Sequence, residues 1–193
     1  MITNKSNRSV GPWQVKKTEI VFNNRWAKVR RDTCVLPDGK VIPDYYYWEG
    51  SDFAQVFALT DESRVVLVRQ YKHGVKEVVL ELPAGLVSEE DASPLATARR
   101  ELLEETGFEA GEWQALGKLN VSSAKATTHA HVFLATRARR IAEPKPDENE
   151  QIEVVLRTIP ELLDLISAGE IRDSNSIACS LLSLRALNLD ISG

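Results

Sequence analysis

The order of predicted strands and helices indicates a mixed α/β fold. Three apolar, strand-like segments follow one another: FAQVFALT, RVVLVRQY and EVVLELP. A helix then begins at Ser93-Pro94, where serine is a favourable N-cap and proline fits the first helical position. Further strands are predicted at about 112–117, 130–136 and 152–156, and two closing helices at about 159–168 and 175–188. This succession of strand, helix, strand and helix is typical of an α/β domain.

The N-terminal quarter of the chain has a different pattern. Residues 1–13 are polar and predict a flexible tail. Residues 14–50 are β-rich, because WAKVRRDTCV and VIPDYYYW alternate like strands and Asp38-Gly39 between them predicts a hairpin turn. We interpret this segment as an appended sheet, since it is small for an independent core, and residues 51–193 as the main domain.

Composition excludes several classes of protein. The 193 residues carry a net charge of -4, which argues against a general binder of nucleic acid or of anionic membranes. The chain has two cysteines, Cys34 and Cys179, without a C-x-x-C pair, so a cysteine zinc site is excluded and a reducing, cytoplasmic location is expected. Neither a secretory signal nor a membrane span is expected, because no apolar run approaches about 20 residues.

The segment RRELLEETGF places three glutamates, Glu101, Glu104 and Glu105, on one predicted helix. Their spacing of three and four residues puts them on overlapping sides, where like charges repel. Arg100 precedes Glu104 by four residues, but one arginine does not balance three carboxylates. A solvated helix face is one interpretation. A site for a hard divalent cation is the other, because Mg²⁺ prefers oxygen ligands.

The longer segment GLVSEEDASPLATARRELLEETGF resembles the signature of the Nudix hydrolases. That signature is Gly, five residues, Glu, seven residues, then Arg-Glu-aliphatic-x-Glu-Glu-x-Gly-aliphatic. Gly85 opens it here, and the second half matches at Arg100, Glu101, Leu102, Glu104, Glu105 and Gly107, with Phe108 at the last aliphatic position. The first half is one residue longer, which puts Ala92 at the first glutamate position with Asp91 beside it. Whether Asp91 replaces that glutamate stays open at this stage.

The resemblance implies an α/β/α sandwich with a mixed sheet and a loop–helix–loop that binds divalent metal. Carried over by position, Glu101 and Glu105 would be metal ligands, Glu104 would belong to the catalytic cluster, and Arg100 would orient the glutamates. The backbone carbonyl of Ala84 would add a further ligand. The implied cofactor is Mg²⁺, with Mn²⁺ as the alternative. The implied chemistry is hydrolysis of a nucleoside diphosphate linked to another moiety.

A narrower resemblance comes from VRQYKHGV and EVVLELPAGLV, together with the β-rich extension. They resemble the ADP-ribose and nucleoside-diphosphate-sugar pyrophosphatases, which implies a homodimer with exchanged N-terminal sheets. Trp26, Tyr46 and Trp48 are then candidates for stacking on the base, and packing in the dimer core is the alternative. Arg69, at a strand end, is a candidate phosphate ligand or part of an ordinary surface salt bridge.

Two further segments carry candidate residues. By itself, DENE within KPDENEQIEV is typical of a solvated loop, but it is similar to a catalytic loop of the ADP-ribose pyrophosphatases. That similarity would make Glu148 the base that activates water and Glu150 a metal ligand. In HAHVFLA, alternation puts His129 and His131 on one strand face, where they have either a substrate-binding or a structural role.

These features predict metal-dependent hydrolysis of a nucleoside-diphosphate sugar to a nucleoside monophosphate and a sugar phosphate. LNVSSAKATT lacks the proline usual at this place in ADP-ribose enzymes, so ADP-ribose, GDP-mannose and similar compounds all stay open as substrates. The alternatives are a Nudix domain that senses a ligand without hydrolysis, and a pyrophosphatase for another nucleotide such as coenzyme A. No nucleic-acid or membrane partner is expected.

Overall fold

The computed structural model describes residues 10–146 and 150–189, which fall into two compact units. The N-terminal unit contains the described part of Met1–Gly50 together with Ser122–Thr128. The larger unit, called here the main unit, contains Ser51–Val121 and the described part of His129–Gly193. The predicted tail lies outside the described residues except for its last four positions.

The N-terminal unit is a three-stranded antiparallel sheet. Its strands, in the order in which they pair, are β1 (Gln14–Asn23), β2 (Lys28–Val35) and β3 (Val41–Glu49). The predicted Asp38-Gly39 turn connects β2 to β3, and Gly39 has a φ of 85°, a conformation that favours glycine. The segment Ser122–Thr128 joins this sheet through a bridge between Trp48 and Ala126, which the sequence did not indicate.

The main unit is a mixed seven-stranded sheet with three helices. Its strands are β4 (Phe53–Thr60), β5 (Arg64–Lys72), β6 (Glu77–Glu81), β7 (Ala84–Leu86), β8 (Phe108–Asn120), β9 (His129–Arg140) and β10 (Ile152–Thr158). The helices are α1 (Pro94–Thr106), α2 (Ile159–Ser167) and α3 (Ser174–Ala186). The order across the sheet is β10-β5-β4-β9-β8, with β6 paired to β5 and β7 paired to β4. The β4–β9 pair is parallel and the other pairs are antiparallel.

The sheet of the main unit buries both faces, because side chains alternate along each strand. One face packs against Ala98 and Leu102 of α1, and the other packs against Leu162 of α2 and Leu184 of α3. Each buried leucine of this kind contributes about 1.5–3 kcal/mol to the free energy of unfolding. The predicted α/β/α layering with a mixed sheet is therefore confirmed. No helix in the described ranges is long and apolar enough to cross a membrane.

Most predicted element boundaries agree with the structure to within two residues, but β8 and β9 are longer than predicted. Gly107 ends α1 in the left-handed conformation, with a φ of 73°, and the chain enters β8 at the next residue. Strands β8 and β9 then pair from Phe108 with Arg140 to Asn120 with His129. This extended pairing lets polar residues that look like loop in the sequence continue both strands.

Candidate active site

Helix α1 begins and ends where its sequence predicts. The Ser93 hydroxyl accepts a hydrogen bond from the amide of Ala96 at 3.2 Å, and Pro94 occupies the first helical turn. At the other end, the amide of Gly107 donates to the carbonyl oxygen of Leu103 at 2.8 Å. Because Ala98 and Leu102 are fully buried under the sheet, the rotation of the helix is determined and the glutamates project to one side.

The three glutamates of α1 line a cavity of about 550 Å³, together with Arg100 and Glu150. They lie at different depths. Glu105 is only 2% exposed, whereas the Glu101 side chain is 15% exposed and the Glu104 side chain 44% exposed. Glu105 is held from β7, since its Oε2 accepts a hydrogen bond from the amide of Ala84 at 3.0 Å. The carboxylates therefore line one wall of a cavity and do not form a solvated helix face.

Gly85 on β7 leaves room for the carboxyl group of Glu101. A Cβ atom built on this glycine would lie 1.9 Å from the carboxyl carbon of Glu101, a distance at which something must shift. Any other residue at position 85 would displace either the strand or the glutamate. The first glycine of the signature segment thus has a steric role next to the carboxylate.

Arg100 connects the glutamates to the preceding loop. Its Nη1 donates to Glu101 Oε1 at 2.7 Å and to Glu104 Oε2 at 2.8 Å. Its Nε and Nη2 donate to the two oxygens of Asp91 at 3.2 and 2.9 Å, a bidentate pair. Asp91 also accepts from Thr97 Oγ1 at 2.9 Å. Asp91 therefore forms an ion pair with Arg100, the arginine of the signature segment, although the loop before α1 is one residue longer.

Burial makes it costly for the deepest carboxyl groups of this wall to carry a negative charge. Burial raises the pKa of the Glu105 carboxyl to about 8, and the carboxylates of Glu101 and Glu150 add to the shift. Burial also raises the pKa of Glu101, against the opposing effect of Arg100. By contrast, the Arg100 guanidinium holds the pKa of Asp91 well below its usual range. The deepest carboxyl groups thus favour a proton or another cation beside them.

This donor set fits a hard divalent cation, which prefers carboxylate oxygens and water. In the described ranges no three carboxylate, histidine or cysteine side chains are already arranged as a metal centre. Two of the candidate carboxylates, Glu101 and Glu104, are instead in ion pairs with Arg100.

Comparison with known proteins identifies the family of the chain. A profile described as the NUDIX domain matches residues 53–176, and one described as the nucleoside diphosphate sugar hydrolase N-terminal domain matches residues 13–48. The chain belongs to the Nudix family. Because both profiles match, it is a Nudix pyrophosphohydrolase of the nucleoside-diphosphate-sugar hydrolase type.

Individual relatives cover most of this Nudix chain. A methanol dehydrogenase activator from Bacillus methanolicus is 31% identical, with 83% of this chain and 86% of the relative aligned. An ADP-ribose pyrophosphatase from Bacillus subtilis is 30% identical over 82% and 85%, and a GDP-mannose pyrophosphatase from Klebsiella pneumoniae is 30% identical over 81% and 84%. A crystal structure of an ADP compounds hydrolase covers 93% of this chain and 96% of its own at a TM-score of 0.82 and 20% identity, which shows a shared fold.

The Nudix cavity also contains residues that the sequence did not reveal. They come from the sheet and from the start of α3, and they include Gln55, Lys72, Glu81, Asp173 and Asn175. Lys72 and Glu81 both line the cavity, and Lys72 Nζ lies 3.1 Å from Glu81 Oε1. The wall therefore includes one ammonium group in an ion pair. Alternation along β5 was the available signal, because residues 70 and 72 share a face that residue 69 does not.

Arg69 lies elsewhere in the Nudix fold. Its Nη1 is 2.9 Å from Glu153 Oε2 on the neighbouring strand β10, and both side chains are more than a third exposed. It is not among the residues that line the cavity. Of the two roles that the sequence left open, the structure shows the surface salt bridge.

His129 and His131 do share a strand face, as predicted, and both contact Asp52. His129 Nδ1 lies 3.1 Å from Asp52 Oδ1, and His131 Nε2 lies 3.0 Å from Asp52 Oδ2. Lys118 Nζ is 3.1 Å from the same carboxylate. Partial burial opposes ionisation of Asp52, but the hydrogen bonds from His131, His129 and Lys118 outweigh it and hold its pKa well below the usual range. The contacts are those of a structural cluster outside the cavity lining.

Three candidate groups stay predictions. Glu148 lies outside the described residues, so its position relative to the Nudix cavity is not described. Trp26, Tyr46 and Trp48 belong to the N-terminal unit, where they are 78%, 42% and 54% exposed. The carbonyl of Ala84 belongs to a residue that lines the cavity, but its role as a metal ligand is untested.

Proposed function

We propose that this Nudix chain hydrolyses the diphosphate bond of a nucleoside-diphosphate sugar, yielding a nucleoside monophosphate and a sugar phosphate. The observation that carries the proposal is the cavity wall formed by Glu101, Glu104 and Glu105, of which the first two accept hydrogen bonds from Arg100. Such a concentration of buried carboxylates is unfavourable unless a cation offsets it. The match of residues 13–48 to the nucleoside diphosphate sugar hydrolase N-terminal domain supports a sugar nucleotide as the substrate.

The residues that would hold the divalent cation are Glu101, Glu105 and Glu150, with the carbonyl of Ala84 as a further candidate. Glu101 and Glu105 are buried carboxylates on the same helix, and Glu150 raises the pKa of Glu105 through its charge, which supports their proximity. Mg²⁺, with Mn²⁺ as the alternative, would offset the charge of the diphosphate and lower the pKa of a bound water. Arg100 would hold Glu101 and Glu104 in orientation, anchored in turn by Asp91.

In the proposed reaction, the oxygen of a water molecule forms a bond to one phosphorus of the diphosphate. The bond from that phosphorus to the bridging oxygen breaks, and the leaving phosphate retains the electron pair. A base accepts the proton of the attacking water, and Glu148 is the predicted base. Lys72, whose ammonium group faces the cavity beside Glu81, would bind a phosphate oxygen.

Two substrates are the first candidates, because relatives of about equal identity are an ADP-ribose pyrophosphatase and a GDP-mannose pyrophosphatase. Both compounds share the diphosphate that the carboxylates and cations of the cavity would bind. We therefore propose the class of substrate, and the assay below selects the member.

The N-terminal sheet is proposed to form a homodimer interface, with exchange between subunits. Support comes from its large apolar side chains, several of which are about half exposed, including Val15, Ile20, Phe22 and Val41. Trp26, Tyr46 and Trp48 would contact the base from this unit. Sedimentation velocity would give a dimer mass, and a monomer at micromolar concentration would contradict this part of the proposal. A cytoplasmic location is also proposed, and the two buried cysteines, which form no disulfide, are compatible with it.

Product analysis with Mg²⁺ tests the function. ADP-ribose, GDP-mannose, UDP-glucose, NADH, coenzyme A and nucleoside triphosphates are incubated with the wild type, with Glu105→Gln and with Glu109→Gln. Glu109 is a matched control, because it lies on strand β8, away from the cavity lining, where it pairs with Arg139 of strand β9. Replacement of residues that only orient a metal ligand lowers activity by up to about a hundredfold. We therefore expect Glu105→Gln to lower the rate of hydrolysis by at least about a hundredfold and Glu109→Gln to leave it unchanged.

The expected products are a nucleoside monophosphate and a sugar phosphate from at least one sugar nucleotide. Preferential cleavage of coenzyme A would move the assignment to another nucleotide. Tight binding of a sugar nucleotide without cleavage of any compound would replace hydrolysis by ligand sensing.

A further inference from the structure

A second wall of the cavity comes from β4 and the beginning of α3. It is formed by Gln55, Asp173 and Asn175, and is called here the α3 wall. Asp173 caps α3, since its Oδ2 accepts from the amide of Ser176 at 2.7 Å. The cap satisfies one of the free amide groups at this terminus and places a carboxylate beside it, which disfavours an anion there.

Gln55 on this wall has an unmet hydrogen-bonding capacity. Its side chain is buried, with 2% of the residue exposed, and its Nε2 donates to Ser176 Oγ at 2.9 Å. Its Oε1 has no hydrogen-bond partner among the described residues. The oxygen and nitrogen of this amide could be exchanged, because the serine hydroxyl can donate as well as accept a hydrogen bond. The exchange would leave the amino group, instead of the oxygen, without a partner. A buried polar atom in this state costs free energy until a ligand or water pairs with it.

The surroundings of Gln55 determine which part of a sugar nucleotide fits. Asp173 and Glu81 are acidic and line the same cavity. Burial raises the pKa of Glu81, and the negative charge of Asp173 raises it further. Acidic groups disfavour a phosphate that is not bound through a cation, but they accept hydrogen bonds from hydroxyl groups. A base requires flat stacking partners, and Phe53 is the one aromatic residue among the described residues that line the cavity.

We infer that the α3 wall binds the hydroxyl groups of the sugar and that Gln55 is a specificity-determining residue. This inference rests on the proposed function, because it assigns one part of the proposed substrate to one wall of the site. A sugar hydroxyl completes the hydrogen bonding of the Gln55 amide, while Asp173 and Asn175 supply a carboxylate and an amide beside it. A site that hydrogen-bonds a hydroxyl discriminates strongly against compounds that lack it, because its buried polar groups are then left unpaired.

The test separates the two ends of the product pair. Ribose 5-phosphate and mannose 1-phosphate serve as inhibitors that carry only the sugar end, and AMP and GMP serve as inhibitors that carry only the base end. Gln55→Met keeps the length and burial of the side chain but removes the amide. Ser183→Ala is the matched control, because Ser183 lies on α3, is fully buried, has a hydroxyl oxygen without a hydrogen-bond partner among the described residues and does not line the cavity.

We expect Gln55→Met to weaken inhibition by the sugar phosphate about tenfold, as loss of one hydrogen bond typically does. Inhibition by the nucleoside monophosphate and the behaviour of Ser183→Ala should not change. Asn175→Ala, which leaves the Gln55–Ser176 contact intact, should weaken the same inhibitor and no other. The unfolding temperature of each variant is measured as well. If that of Gln55→Met is much lower than that of the wild type, Asn175→Ala provides the test instead.

The inference is overturned if inhibition by the nucleoside monophosphate weakens instead, because the wall would then bind the base. It is equally overturned if Gln55→Met and Asn175→Ala both behave like the wild type. Failure of the proposed function looks different, since the wild-type protein would then hydrolyse no sugar nucleotide at all.

Discussion

Two charged clusters of the main unit differ in their ratio of carboxylates to hydrogen-bond donors. Around Asp52, one carboxylate receives hydrogen bonds from His129, His131 and Lys118. Around α1, Arg100 is shared by several carboxylates, while the buried Glu105 accepts its hydrogen bond from a backbone amide. A balanced cluster is complete within the protein and stabilises the fold. An unbalanced one needs a further cation, and that need is what relates it to the proposed chemistry.

The largest effect is expected where the unbalanced cluster is packed most tightly. Gly85→Ala places a methyl group against the Glu101 carboxyl, so the end of the Glu101 side chain must move. Displacement of the carboxylate by about 1 Å should lower kcat/KM about a hundredfold. Gly74→Ala is the control, because a Cβ there would meet nothing within 4 Å. Wild-type kcat/KM in Gly85→Ala would show that the position of Glu101 does not matter.

A smaller loss is expected when the anchor of Arg100 is weakened. Asp91→Asn keeps the shape of the side chain but removes the charge that pairs with the guanidinium. Residues that orient a metal-binding group typically contribute ten- to a hundredfold, so kcat/KM should fall about 30-fold. Asp91→Glu should recover part of this loss. Glu90→Gln, at the exposed neighbouring position, should behave like the wild type. Equal activity of Asp91→Asn and Glu90→Gln would remove Asp91 from the site.

Lys72 and Arg69 offer a comparison of two cations on one strand. Lys72→Ala should raise KM about tenfold, because a cation facing a phosphate is lost. Arg69→Ala should leave KM unchanged and cost less than about 1 kcal/mol of stability, as exposed ion pairs do. Steady-state kinetics with the preferred sugar nucleotide measures both. A higher KM in Arg69→Ala alone would restore the phosphate role that the sequence left open.

The smallest effect on activity is expected at the balanced cluster. Asp52→Asn should leave kcat/KM unchanged and lower the free energy of unfolding by about 1 kcal/mol at neutral pH. Because the folded-state pKa of Asp52 is lowered, its stabilisation is complete above the unfolded-state value and lost as pH falls through the folded value. The stability difference between wild type and variant should therefore shrink below about pH 4. A difference that grows on acidification would contradict this account.

Local sequence rules predicted the helix that carries the site. Ser93, Pro94 and Gly107 have strong intrinsic preferences at helix ends, and the spacing of Ala98 and Leu102 determined which side of the helix is buried. The three- and four-residue spacing of the glutamates then placed them together without knowledge of the sheet. Such features depend on contacts within one turn of the chain, so they can be predicted from a single segment.

Other features depended on pairing between distant segments. Alternation along β5 puts Arg69 and Lys72 on different faces, but only the register of β5 with β10 pairs Arg69 with Glu153, and only the packed sheet puts Lys72 at the cavity. Asp91 reaches Arg100 only through the path of its loop. These outcomes could not be predicted locally, since a change of one residue in register or loop path reverses the direction of a side chain.

The sequence by itself thus determined the α/β class, the acidic helix and its excess of negative charge, because periodicity, capping and spacing act over a few residues. The tertiary structure alone decided the burial that raises the pKa of Glu105 to about 8, the close approach of Gly85 to Glu101, and the unpaired amide oxygen of Gln55 beside α3. Each of these depends on which segments exclude water from which atoms. That exclusion is a property of the packed chain, because it arises only when residues far apart in sequence are brought together.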